Sequence, residues 1–105
     1  MKKLLEGSLQ RTIIEYLRLR RIFHYRQNTG AFKTERGGFY RFGVSGAPDI
    51  VVVVNGRYIG LEVKMGRNKQ SIAQKKFQQE LEQAGGLYWL VHSLEDVIEK
   101  LKTIY

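Results

Sequence analysis

An α/β fold, a mixed β-sheet with helices on both faces, is what this sequence predicts, and three observations carry that expectation. An Asn-Gly pair, Asn55-Gly56, separates two β-branched runs, "DIVVVV" and "RYIGLEVK". Leu5, Leu9, Ile13, Tyr16 and Leu17 recur at helical spacing between Leu4 and Arg20. A third apolar run, "LYWLV", is continuous rather than alternating, as in a central strand covered on both faces.

Taken in order, Leu4 to Arg20 reads as an amphipathic helix with arginines between its apolar positions. "IFHYRQNTG", Ile22 to Gly30, mixes aromatic, β-branched and polar residues as a strand does and ends at a turn signal. "AFKTERGGFYRFGVSG" reads as a loop with a Gly37-Gly38 tip and a short strand at Phe39 to Phe42. Asn55-Gly56 tolerates the positive φ angles of a type I′ turn, so the runs on either side should pair antiparallel. Ser71 can cap a helix that reaches Ala84, where Gly85-Gly86 stops it. Ser93 can cap the last helix, with Glu95 and Asp96 in its positively polarised first turn. The order is therefore αββ(β)βαβα, without internal repeats.

The chain has 105 residues, which suits one domain over residues 1–105. A core of that size is modest, and assembly into oligomers would help it. Hydrophobic residues make up 43% and charged residues 27%, values of a globular rather than a disordered chain. The net charge of +8 favours polyanionic partners, nucleic acid first and acidic membrane surfaces second. Without cysteine there is no disulfide or thiolate chemistry. The apolar run near the N-terminus stops at Glu6, and no stretch approaches the roughly 20 apolar residues of a spanning helix. A soluble, cytoplasmic protein is expected.

The chemistry lies on the firmest hairpin. Asp49 opens its first strand and Glu62 lies near the end of its second, places that are close across an antiparallel ladder. Glu62 and Lys64 are two residues apart and share a face, while Val63 points to the other. Pro48 stiffens the entry to Asp49. Two carboxylates held together repel, and partial burial adds to the cost. A hard divalent cation such as Mg²⁺ removes that conflict with carboxylate oxygens, a backbone carbonyl and waters. Lys64 beside it suits activation of water or neutralisation of charge on phosphorus. Read singly, Asp49 would cap a turn and Glu62–Lys64 would be a surface ion pair. The three together are the parts of phosphodiester hydrolysis.

"GAPD", twelve further residues and then "EVK" resembles the PD-(D/E)XK nuclease signature. With "RFGVSGAPD" before it, and "AQKKFQQELEQAGG" and "LYWLVHS" after it, the chain resembles the VRR-Nuc family from Glu6 to about Val97. The resemblance implies a PD-(D/E)XK, restriction-endonuclease-like core and a nuclease dependent on Mg²⁺ or Mn²⁺. It implies Asp49 and Glu62 as metal ligands, Val63 as carbonyl donor, Lys64 as catalytic lysine and Gln74 as an assisting glutamine. A carboxylate from the first helix is also implied, with Glu6 and Glu15 as the candidates. They lie on opposite helix faces, and Glu6 shares the core-facing stripe of Gln10, Ile13 and Leu17. Glu15 lies among Arg11, Arg18 and Leu19, where surface ion pairs are expected.

Small standalone members of the family are phage or bacterial proteins associated with branched DNA, similar to Holliday-junction resolvases and homodimeric. The expected activity is thus a DNA endonuclease selective for branched DNA, acting in bacterial cytoplasm. A flap or duplex nuclease, or a catalytically idle DNA-binding module, is the alternative. Lys69 and Lys75 near the start of the second helix, and Arg26 and Asn28 after a strand bordering the site, are candidates for DNA contact. Arg41 is a further one, since Lys33, Arg36 and Arg41 interleave with Phe32, Phe39, Tyr40 and Phe42. Such aromatics can stack on unpaired bases, but core or subunit interface is the expected use. His24 and His92 lack metal-ligand spacing and are expected to be structural.

Overall fold

The computed structural model describes residues 2–27 and 30–105. Its elements are α1 (Lys2–Leu19), β1 (His24–Arg26), β2 (Gly30–Lys33), β3 (Phe39–Phe42), β4 (Ile50–Val54) and β5 (Arg57–Val63). They continue with α2 (Ile72–Gln83), β6 (Leu87–Val91) and α3 (Leu94–Lys102). Four strands form a mixed sheet in the order β1-β4-β5-β6, antiparallel except for the parallel pair β5 and β6. The fold is α/β, as the sequence predicts.

The β4–β5 hairpin closes on Asn55 and Gly56, both at positive φ, 53° and 76°. Its register pairs Val54 with Arg57 and Ile50 with Leu61. Carried one step further, that ladder sets Asp49 across from Glu62. Because strand side chains alternate, Ile59, Leu61 and Val63 face one side of the sheet and Gly60 and Glu62 the other. The first side is the main core. Ile13 and Leu17 of α1, and Val97 and Leu101 of α3, pack there with Ile50, Val52 and Trp89. Each fully buried aliphatic side chain in such a core stabilises by about 1.5–3 kcal/mol. α1 ends where Arg21 takes a left-handed conformation, φ 55°, and the Ile22 N–H bonds back to the Leu17 carbonyl. That turn folds Ile22 into the core.

α2 covers the other side. Its Phe77 ring meets Tyr88 of β6, centroids 6.3 Å apart. The approach to β4 is fitted tightly here. Pro48 is fully buried, and a Cβ at Gly60 would come within 2.6 Å of its Cγ. Gly46, at φ 79°, lets the chain pass against the Ala73 carbonyl in the first turn of α2. Gly60→Ala should therefore cost about 1–3 kcal/mol by overpacking, read as a lower Tm in thermal melts. An unchanged Tm would mean that the Pro48 loop yields freely.

Three expectations are corrected. β6 is an edge strand, not a central one. Its apolar run arises because helices cover both of its faces, Trp89 and Val91 lying in the main core and Tyr88 against α2. Of the strand expected over Ile22 to Gly30, the described residues show His24–Arg26, which pairs with β4, and Gly30 already belongs to the next strand, β2. Residues 31–33, expected as loop, instead belong to β2, which pairs with β3 as a separate two-stranded hairpin, while residues 34–38 form the expected turn between them. Its Phe32, Phe39 and Tyr40 are at least half exposed and so form no part of the chain's own core.

Candidate active site

The site lies where β4 begins and β5 ends, on the face that α2 covers. Asp49 is half-buried, and its Oδ2 accepts the Val63 N–H at 2.8 Å. Its carbonyl accepts the Gln27 N–H, so the backbone on both sides fixes it. Glu62 is the one buried charged residue among those described, only 3% exposed. Its Oε2 accepts from Gln74 Nε2 at 3.0 Å and lies 3.7 Å from Lys64 Nζ. Its Oε1 accepts a long bond, 3.4 Å, from the Tyr88 hydroxyl. The negative charge of Asp49, across the ladder, acts on Glu62.

The sequence builds this arrangement locally. Asp49 and Glu62 meet because the tight turn fixes the register. Gln74 is placed by its own helix start: Ser71 Oγ accepts the Gln74 N–H, and Gln74 Oε1 accepts the Ser71 N–H. That capping box leaves the amide nitrogen of Gln74 pointing at Glu62. Tyr88 arrives through the parallel crossover, with Gly60 as its register partner.

Electrostatics sets the site apart from the rest of the surface. Burial, and then repulsion from Asp49, push the Glu62 carboxyl up to about 8, with Lys64 opposing them. Burial also raises Asp49, against the stabilising Val63 N–H. Tyr88 is pushed up as well, by burial and then by the negative charge of Glu62. Between the ordinary 4.5 and about 8, the folded chain therefore holds a proton on Glu62 that the unfolded chain has released. The stability this gives is full below about 4.5 and disappears as pH rises through about 8. The Tm of metal-free protein should accordingly fall between pH 5 and pH 9, and Glu62→Gln should flatten that fall. Parallel curves for the two proteins would contradict a strained carboxyl pair.

Other candidates are placed as follows. Glu6 comes to the same end of β5, where its Oε2 accepts from the Met65 N–H at 3.2 Å and Asn68 Nδ2 at 2.8 Å. Its charge is felt at Asp49. Glu15 is exposed on the far side of α1 in an ion pair with Arg18, which lowers its carboxyl below the ordinary value. Arg26 is the register partner of Ile50 and stands next to the site end of the sheet. Lys69 and Lys75 are exposed on either side of the α2 start. Arg41 is exposed on the separate hairpin. Asn28 lies outside the described residues. His24 Nδ1 lies 2.8 Å from the Ile22 carbonyl and His92 Nδ1 2.9 Å from that of Lys64, as structural histidines do.

Sequence reasoning misses Tyr88 and Asn68. The signal for Tyr88 is its polar tip inside an otherwise apolar strand, since a buried tyrosine hydroxyl needs a partner. Asn68 sits in an irregular loop and gives no periodic signal.

Among the described residues, no three His, Cys, Asp or Glu side chains converge as a ligand cluster. Two carboxylates and the Val63 carbonyl are still a fitting donor set for Mg²⁺, which takes one or two carboxylates and keeps several waters. The raised Glu62 carboxyl marks a place where positive charge is wanted. No protein-family model matches the chain, and a search of curated proteins finds no match. No helix among the described residues is long and apolar enough to cross a membrane.

Proposed function

We propose that the chain is a nuclease of the PD-(D/E)XK, VRR-Nuc-like type that hydrolyses DNA phosphodiester bonds with Mg²⁺ or Mn²⁺. The observation that carries this reading is the buried Glu62 facing Asp49, with Lys64 Nζ 3.7 Å away. Asp49, Glu62 and the Val63 carbonyl would hold the ion, with Glu6 completing the acidic side of the site. When bound, the ion supplies charge stabilisation at phosphorus and acidifies water. Gln74 keeps Glu62 aimed into the site through the bond that its own cap positions. Lys64 offers its Nζ protons to an oxygen that gains charge as the bond breaks. Arg26, Lys69 and Lys75 ring this end of the sheet and suit the flanking phosphates.

The preferred substrate in this reading is branched DNA, and two chains related by a two-fold axis would make symmetric cuts. Labelled four-way junction, flap and plain duplex incubated with and without Mg²⁺ test it. Cleavage should need the ion and be fastest on the junction. Equal rates on junction and duplex would remove the preference for branches. DNA binding without any cleavage would reduce the chain to an idle binding module.

A further inference from the structure

The β2–β3 hairpin stands outside the four-stranded sheet and plays no part in holding the carboxyl pair. Phe32 and Tyr40 are direct cross-strand partners, so their rings share one face, with centroids 5.2 Å apart and planes tilted by 37°. They are 54% and 56% exposed. The opposite face carries Lys33 against Phe39, which is 70% exposed, with Arg41 two residues on. One side of the ribbon therefore offers the Phe32–Tyr40 pair, and the other offers the cations with Phe39 among them. Exposed rings of this size are costly to leave in water, and the charges around them narrow what can cover them.

A second copy of the chain suits this surface poorly. An isologous contact through the ring face would leave the charges of Lys33 and Arg41 on the opposite face unanswered, and one through that opposite face would set them against themselves, with only Glu35 of the hairpin to offset them. A polyanion has the complementary charge. Paired bases hide their flat faces within the stack, whereas unpaired bases present them to aromatic rings. We propose that this hairpin is a stacking arm for unpaired nucleotides, its Phe32 and Tyr40 rings taking bases while Lys33 and Arg41 meet phosphates. The inference rests on the nucleic-acid reading of the site and deepens it: the substrate carries single-stranded nucleotides beside the bond that is cut.

The test is fluorescence anisotropy with labelled oligothymidylate and with a duplex of equal length, both in EDTA so that no cleavage intervenes. The double variant Phe32→Leu/Tyr40→Leu keeps apolar bulk and removes both ring faces. It should bind the single strand about tenfold more weakly while duplex affinity stays unchanged. Tyr40→Trp, which keeps the aromatic pair and widens the ring, should tighten single-strand binding by about twofold. That variant gives the answer should the leucine pair not fold. Unchanged single-strand affinity, or equal losses on both DNAs, would overturn the arm. So would a halved mass of the leucine variant in light scattering, which would make the hairpin a contact between copies. A wild-type chain that cuts DNA while the leucine variant binds normally defeats the arm alone. A wild-type chain that binds neither DNA defeats the nuclease reading with it.

Discussion

Glu62→Gln should abolish metal-dependent cleavage and also make the metal-free protein more stable above pH 8. Both effects come from one feature, a carboxyl group that is 3% exposed and faces a second one. Glutamine has the shape of the protonated acid, the form that the folded metal-free chain prefers up to about pH 8. It can keep a hydrogen bond with Gln74 but brings no negative charge. The variant should therefore match wild type near pH 5 and exceed it at pH 9, where wild type must carry the charge beside Asp49. Asp49→Asn should likewise lose cleavage. Thermal melts in EDTA and a cleavage assay in Mg²⁺ read the two effects separately. Full activity in either variant would remove the assignment of this pair.

Lys64→Ala should lower turnover by about 10²–10⁴-fold, the usual worth of a positioned proton donor or acceptor. DNA affinity should change little. The chain has 18 lysines and arginines, and the Lys64 side chain is only 15% exposed, so it adds little to the outer field that draws in DNA. Its removal also takes away the one charge that counters burial and Asp49 at Glu62. In the metal-free protein the Glu62 carboxyl should then rise further, and the fall of Tm with pH should extend to higher pH. Lys64→Arg is not expected to restore the rate, because a planar guanidinium does not fit where a compact ammonium sits. An affinity loss as large as the rate loss would make Lys64 a phosphate clamp instead.

What can be read from sequence follows from how local the determinants are. The β4–β5 register depends on Asn55-Gly56 and on apolar residues within a few positions of that turn, so the pairing of Asp49 with Glu62 is legible in the sequence alone. Ser71 and Ser93 are legible for the same reason, since a cap acts over three residues, whereas Gln74 is reached from the family resemblance and its part in the cap shows only in the structure. The place of "LYWLV" is misread because a continuous apolar run reports coverage by helices, and helices can cover an edge strand as fully as a central one. The β2 strand escapes notice because "GAFK" has no β-branched residue and, among the described residues, pairs with β3 rather than with the main sheet. Tyr88 and Asn68 reach the site across long separations that no local pattern encodes. The choice between Glu6 and Glu15 rests on a helical stripe, and the structure brings Glu6 to the β5 exit while Glu15 pairs on the surface.

The tether from Glu6 to the β5 exit sets how the site comes apart as well as how it is arranged. The contact of Asp49 with the Val63 amide closes a loop of 14 residues, whereas that of Glu6 with the Met65 amide closes one of 59. Loop-closure entropy grows with the logarithm of length, so the longer contact costs about 1.3 kcal/mol more to form. It also joins a half-buried carboxylate to a loop, with less surrounding packing than the fully buried strands supply. Partial opening is therefore expected to release the Glu6 tether first and to leave the carboxyl pair, held within a single hairpin, until the sheet itself gives way.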